Sequence, residues 1–141
     1  MTATTYAYRR GPKTARAPRN NPEHDLQVAV CQFLRFALPP DVEWSSSLSG
    51  AFLGPSQRSK MKASGLRPGV PDMVLIIPGK GAVWIELKSD VGVVSPDQKR
   101  WALAIGAQRW RLCRSVQDVY NALVSWGIEP RASPIGNPRY S

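Results

Sequence analysis

Three residues have the types and spacing to do chemistry together: Asp72, Glu86 and Lys88. Two carboxylates beside an ammonium form a hard oxygen donor set that suits Mg²⁺, and a water on such an ion near a lysine is a ready nucleophile. Their setting is apolar. Met73 to Ile77 is a continuous apolar run that stops at Pro78-Gly79-Lys80-Gly81, and a second run, Ala82 to Leu87, carries Glu86 within it and Lys88 at its end. This pattern predicts a buried β-hairpin. Side chains alternate along a strand, so Glu86 and Lys88 share one face while Val83, Ile85 and Leu87 share the other. Folding about Gly79 brings Asp72 level with Glu86, and the two face the same way if the loop has three or five residues rather than four. Acids this close push one of the pair towards protonation unless a cation lies between them. Lys88 supplies one positive charge and a divalent ion would supply the rest. The plainer alternative is a surface ion pair at the open end of the hairpin. Such pairs contribute little and do not explain acids embedded in apolar strands.

The chain that must position these groups has 141 residues, enough for one domain with a modest core and too few for two. Its formal net charge is +9, which points to a polyanionic partner. Cys31 and Cys113 belong to separate expected elements and to no C-x-x-C or Cys/His cluster. They read as core thiols in a reduced compartment. No apolar run has the length of a membrane span and no leader pattern opens the chain, so an intracellular protein is expected.

Residues 1–21 carry Arg9, Arg10, Lys13, Arg16 and Arg19 with no acid. This composition predicts a basic flexible arm that either contacts nucleic-acid phosphates or only aids solubility. Asn21 and Pro22 then open a helix as N-cap and first helical residue. Leu26, Val30, Phe33, Leu34 and Ala37 form its apolar stripe before Pro39-Pro40 ends it. Glu23 lies on that stripe extended backwards. It is either a dipole-stabilising acid or a site residue aimed at the sheet. A short strand is expected over Val42 to Ser46. A helix over Ser56 to Leu66 presents Arg58, Lys60 and Lys62, with Arg67 just beyond, as a cluster that either is simply solvated or grips DNA backbone.

After Lys88, Ser95-Pro96-Asp97-Gln98 reads as a capping box. Gln98 either closes that cap or points at the site with Trp101, Ala102 and Ile105. Lys99 and Arg100 fall on the outer side, where phosphate contact is open to them. A strand over Gln108 to Cys113 and a helix from Ser115 to Gly127 complete the pattern. The expected domain therefore spans 22–127, followed by a Pro-rich tail over 128–141. Trp84, Phe52, Leu53 and Trp126 exceed what one small core readily absorbs, and they offer an isologous interface for a homodimer.

The motif P-D at 71–72 followed by E-x-K at 86–88 resembles the PD-(D/E)xK nuclease superfamily. Read with R-P-G-V-P-D-M before the first strand, W-I-E-L-K-S in the second and G-V-V-S-P-D-Q-K-R-W after it, the chain resembles the VRR-Nuc family over about Glu23 to Gly127. The resemblance implies an α/β fold with a restriction-endonuclease-like core, a mixed central sheet flanked by helices. It implies divalent-metal-dependent cleavage of DNA, with Mg²⁺ as cofactor and Mn²⁺ as substitute. Asp72, Glu86 and the carbonyl of Leu87 would then bind the metal, an acid on the first helix (Glu23) would complete the site, Lys88 would act on the attacking water, and Gln98 would stand beside it. Small stand-alone proteins that this chain resembles act as homodimers on branched DNA, so a symmetric homodimer that prefers branched DNA, four-way (Holliday) junctions above all, is expected. Where the family tends to carry an asparagine-glycine pair, this chain has Ser49-Gly50. Two other readings stay open: a module of the same fold that binds DNA without cutting it, and a less selective DNA-degrading nuclease.

Overall fold

The computed structural model describes residues 21–47 and 54–134. The basic arm over 1–20, Ser49-Gly50, Phe52, Leu53 and the end of the Pro-rich tail lie outside the described residues.

The hairpin is present. Met73–Ile77 (β2) pairs antiparallel with Gly81–Leu87 (β3) in the register Met73↔Ile85, Leu75↔Val83 and Ile77↔Gly81. Three residues, Pro78 to Lys80, close the turn, with Lys80 N donating to Ile77 O at 3.0 Å. This odd loop extends the register to Asp72 opposite Glu86, so both acids take the same face. Glu43–Ser46 (β1) adds antiparallel to β2, and Trp110–Cys113 (β4) adds parallel to β3, giving the order β1-β2-β3-β4. A parallel neighbour requires a crossover, and the helix Pro96–Ile105 lies in it.

Helices lie on both faces of this mixed sheet, so the fold is α/β and of the restriction-endonuclease-like kind. The first helix, Pro22–Ala37 (α1), opens as its sequence dictates, with the Asn21 side chain accepting from His24 N at 3.1 Å. Its stripe of Val30, Phe33, Leu34 and Ala37 is buried together with Val116, Val119, Ala122 and Leu123 of the last helix, Val116–Ser125. Both join Met73, Leu75, Val83, Ile85 and Leu87 in one core. The second helix, Pro55–Ala63 (α2), buries no residue and is closed by Gly65 N to Lys62 O at 3.0 Å and Leu66 N to Met61 O at 2.9 Å. Pro96–Ile105 (α3) also buries none, and it meets the opposite, Glu86-bearing face of the sheet. Val116–Ser125 is α4.

One expectation is corrected. Trp126 is not an exposed interface residue: it is the C-cap of α4 and is buried, its Nε1 donates to Gln108 O at 2.8 Å, and the Arg111 guanidinium lies over its ring. Trp84 is half-buried opposite Trp110. Beyond α4, Ile128 is buried and Arg131 binds the end of α1, its N donating to Ala37 O and its Nη2 to Leu38 O, each at 2.8 Å. Cys31 and Cys113 are both free thiols. No helix among the described residues is long and apolar enough to cross a membrane.

Candidate active site

Four elements converge at the end of β3. Asp72, just before β2, uses its carboxylate as the last rung of the ladder: Oδ2 accepts from Leu87 N at 2.7 Å. Glu86 is 1% exposed. Its Oε1 accepts from Gln98 Nε2 at 2.7 Å and lies 3.7 Å from Lys88 Nζ, whereas its Oε2 is buried with no hydrogen-bond partner among the described residues. Lys88 Nζ in turn lies 3.3 Å from Glu23 Oε1, so the first turn of α1 does aim an acid at the site. Of the two readings of Glu23, the dipole-stabilising one alone does not account for that contact. Asp72, Glu86, Lys88 and Glu23 are thus brought together, with the Lys88 ammonium between two acids and Asp72 beside Glu86 as a like charge.

The electrostatics make this arrangement unfavourable with both central acids ionised. Burial, and after it the nearby Asp72 charge, pushes the Glu86 carboxyl up to about 8, with Lys88 opposing the rise. Burial also raises Asp72, against the Leu87 amide that favours its charged form. A site that holds a proton in this way is one that a cation would relieve. With both acids ionised Glu86 Oε2 has no donor, and the pair is relieved only by sharing a proton in the Asp72–Glu86 side-chain hydrogen bond; a cation can take that proton's place, and the donors are hard oxygens, so the residues present fit a divalent ion such as Mg²⁺. Among the described residues, no three His, Cys, Asp or Glu side chains gather into a complete cage. An ion here would need the Leu87 carbonyl and solvent beside Asp72 and Glu86, with Glu23 standing across Lys88.

Gln98 fills both of its expected roles at once. Its Oε1 accepts from Ser95 N at 2.9 Å while Gln98 N donates to Ser95 Oγ at 3.2 Å, which closes the capping box. The other end of the same amide, Nε2, is free to reach Glu86. A primary amide has donor and acceptor on opposite sides, so the readings were never exclusive.

Several supporting residues have little signal in the sequence. Gly69, with φ +91°, passes so close to α3 that a Cβ would lie 2.5 Å from the Asp97 carbonyl carbon. Only glycine allows both that φ and that approach. Trp101 Nε1 donates to Pro68 O at 3.0 Å and ties the same loop to α3. Arg114 Nη1 donates to Ser89 O at 2.6 Å and Gly92 O at 2.8 Å, holding the turn that follows Lys88. A Cβ on Gly92 would meet Lys88 Cδ at 3.1 Å, so that turn walls the lysine stem. Glycines inside a motif hint at such approaches, whereas nothing near Arg114 in sequence marks its partners. Arg58, Lys60, Lys62, Arg67 and Lys99 are all exposed, and the structure joins none of them to the acid cluster by hydrogen bond or ion pair.

Residues 42–117 match the family model for the VRR-NUC domain. No curated protein and no solved structure matches the chain. The matched span is shorter than the resemblance seen in the sequence and leaves Glu23 outside it, but it holds Asp72, Glu86, Lys88 and Gln98 together with all four strands. With more than half the chain matched and the acid, acid, lysine set assembled within that match, this protein belongs to the VRR-NUC domain family, a nuclease-type family.

Proposed function

We propose that this protein is a divalent-metal-dependent DNA endonuclease that selects DNA by structure, with four-way junctions preferred over linear duplex. One observation carries the proposal. Inside the matched domain, Glu86 is buried with one oxygen unsatisfied, between the Asp72 carboxylate and the Lys88 ammonium. Asp72 and Glu86, with the Leu87 carbonyl, would hold Mg²⁺ or Mn²⁺. Bound there, the ion would polarise the scissile phosphate and lower the charge the two acids must carry. Gln98 fixes the Glu86 carboxylate through Nε2, and Glu23 holds the Lys88 ammonium at the opening of the site. Lys88 orients the attacking water and stabilises charge growing on the phosphoryl oxygens. Water oxygen bonds to phosphorus, the bond from phosphorus to the 3′ oxygen breaks, and that oxygen takes up a proton. The products are a 5′-phosphate and a 3′-hydroxyl, as the family resemblance implies.

The net charge of +9 and the exposed Arg58, Lys60 and Lys62 of α2 support a DNA substrate held by its backbone. Symmetric cutting of a four-way junction requires two sites about a two-fold axis, so a homodimer is part of the proposal. The competing reading, a DNA-binding module without chemistry, gives no reason to keep a buried, half-satisfied acid pair. Cleavage of linear, flapped and four-way DNA with Mg²⁺, and light scattering of the protein at micromolar concentration, test the proposal. Undiminished cutting in excess chelator would remove the metal, equal cutting of all shapes the selectivity, and a monomer the dimer.

A further inference from the structure

The loop between α2 and Asp72 is fastened to the first turn and a half of α3. Pro68 has no N–H and offers only its carbonyl, which accepts from Trp101 Nε1 at 3.0 Å and from Arg100 Nη2 at 3.5 Å. Arg100 is itself held by Asp97 Oδ1 at 2.7 Å, and Gly69 lies against the Asp97 backbone. Arg100 and Trp101 follow Asp97 by three and four residues, so the three form one face of α3 and the loop rests along it. Gln98 leaves the same turn towards the sheet and reaches Glu86. The helix start thus carries the loop on its outer side and the buried acid on its inner side. Arg67, exposed and basic, precedes the fastened carbonyl, and Asp72 follows it after the buried Pro71. A single hydrogen bond to a carbonyl at the surface adds little to folding. This one fixes where Arg67 stands relative to both carboxylates.

We infer that Trp101 is a positioning residue: its indole N–H latches the Arg67-Pro68-Gly69 loop to the start of α3, so that DNA backbone held by Arg67 sets the place of Glu86 through Gln98. This rests on the nuclease reading above and gives it a route by which binding completes the site. Reacting groups misplaced by about 1 Å lose about a hundredfold in rate. A loop that leads from a DNA contact to one acid must therefore keep its register with the helix that holds the other. The basic residues of α2 stand further from the latch, on a helix that buries nothing, and their contacts add affinity alone. Arg67 adjoins the latched carbonyl and adds rate as well.

The test uses full-length protein and Trp101→Phe, which keeps an aromatic ring and loses the donor. At saturating DNA and Mg²⁺, single-turnover cleavage by Trp101→Phe should be about tenfold slower than wild type, with DNA affinity in Ca²⁺ nearly unchanged. Arg67→Ala should lose affinity and about tenfold in rate, whereas Lys60→Ala/Lys62→Ala should lose affinity only. Adding Arg67→Ala to Trp101→Phe should cost affinity but no further rate, because the link is already cut. A tryptophan that served only the fold would lower the melting temperature and leave the two rate losses additive. A readout apart from cleavage is the Gln98 side-chain amide resonance, followed by NMR as linear duplex is added in chelator. It should move in wild type and stay in place in Trp101→Phe. Equal rates for Trp101→Phe and wild type, additive losses in the double variant, or a Gln98 resonance that moves alike in both proteins overturns the latch. If Trp101→Phe melts early, the exposed-site variants decide: a loss of rate in both Arg67→Ala and Lys60→Ala/Lys62→Ala, or in neither, overturns it. Absence of any Mg²⁺-dependent cleavage by wild type, with the Gln98 resonance behaving as expected, would instead overturn the nuclease reading alone.

Discussion

Gln98 donates from Nε2 to Glu86 Oε1 at 2.7 Å while its Oε1 accepts from the amide of Ser95, so the first turn of α3 and the buried carboxylate form one hydrogen-bonded unit. Whatever displaces the helix start also turns Glu86. Gln98→Ala removes both contacts and should cost about 1 kcal/mol of stability through the cap, together with most of the cleavage rate. Gln98→Glu can keep the cap, since Glu serves at that position, but it sets a third acid against Glu86. It should recover stability at low pH without recovering cleavage. Urea unfolding and single-turnover rates on the same two variants separate the effects, and equal rates for Gln98→Glu and wild type would contradict the coupling.

Lys88→Ala should lower cleavage by about 10²- to 10⁴-fold with little change in DNA affinity, because the ammonium serves developing charge rather than binding. The loss also removes the cation that opposes the rise of Glu86. The metal-free variant should therefore be more destabilised relative to wild type at pH 9 than at pH 6, where a proton already neutralises Glu86. Thermal melts at the two pH values check this.

The wild-type protein carries its own pH signature. Glu86 is raised from 4.5 to about 8, so between those values the folded state keeps a proton that the unfolded chain has released. Stability should thus fall as pH rises from about 4.5 to about 8 in chelator and then level off. Saturating Mg²⁺ or Ca²⁺ replaces the proton and should flatten the fall, and metal affinity should climb over the same window. Melting curves across pH, with and without the ion, would show two parallel lines if Glu86 did not titrate there.

Arg114 should behave as a positioning residue for Lys88. Arg114→Ala releases the Ser89 to Gly92 turn, and Gly92→Ala presses a methyl group on the lysine stem. Each should lower the cleavage rate by about tenfold with metal affinity unchanged. In a Lys88→Ala background neither should cost anything further, because the group being positioned is gone. Additive losses in the double variants would return Arg114 to a purely structural role.

How much of this was legible in the sequence follows from the range of each interaction. The β2–β3 hairpin could be read because period-two alternation and a short turn are local properties, whereas the facing of Asp72 and Glu86 depended on a loop length that the sequence left open between three, four and five residues. The cap at Ser95 is local too, and the caps at Asn21 and Ser115 likewise. Glu23 could be placed on an inward stripe, but its contact with Lys88 joins residues far apart in the chain, which periodicity does not reach. Arg114, Trp101 and Gly69 act through backbone atoms of distant segments, and a main-chain carbonyl leaves no trace in composition. The burial of Trp126 is hidden from the sequence for a related reason. An indole counts as surplus apolar area until the Gln108 carbonyl that satisfies its N–H is known.

The second helix has no stake in the core: none of its side chains is buried, and nine residues are too few for a helix to be stable alone. Substitutions along it cost the fold almost nothing. Over evolutionary time such a segment is free to exchange one pattern of charge for another while the sheet and its acids stay under constraint. The grip on DNA backbone proposed for Arg58, Lys60 and Lys62 can therefore be altered without disturbing the scaffold.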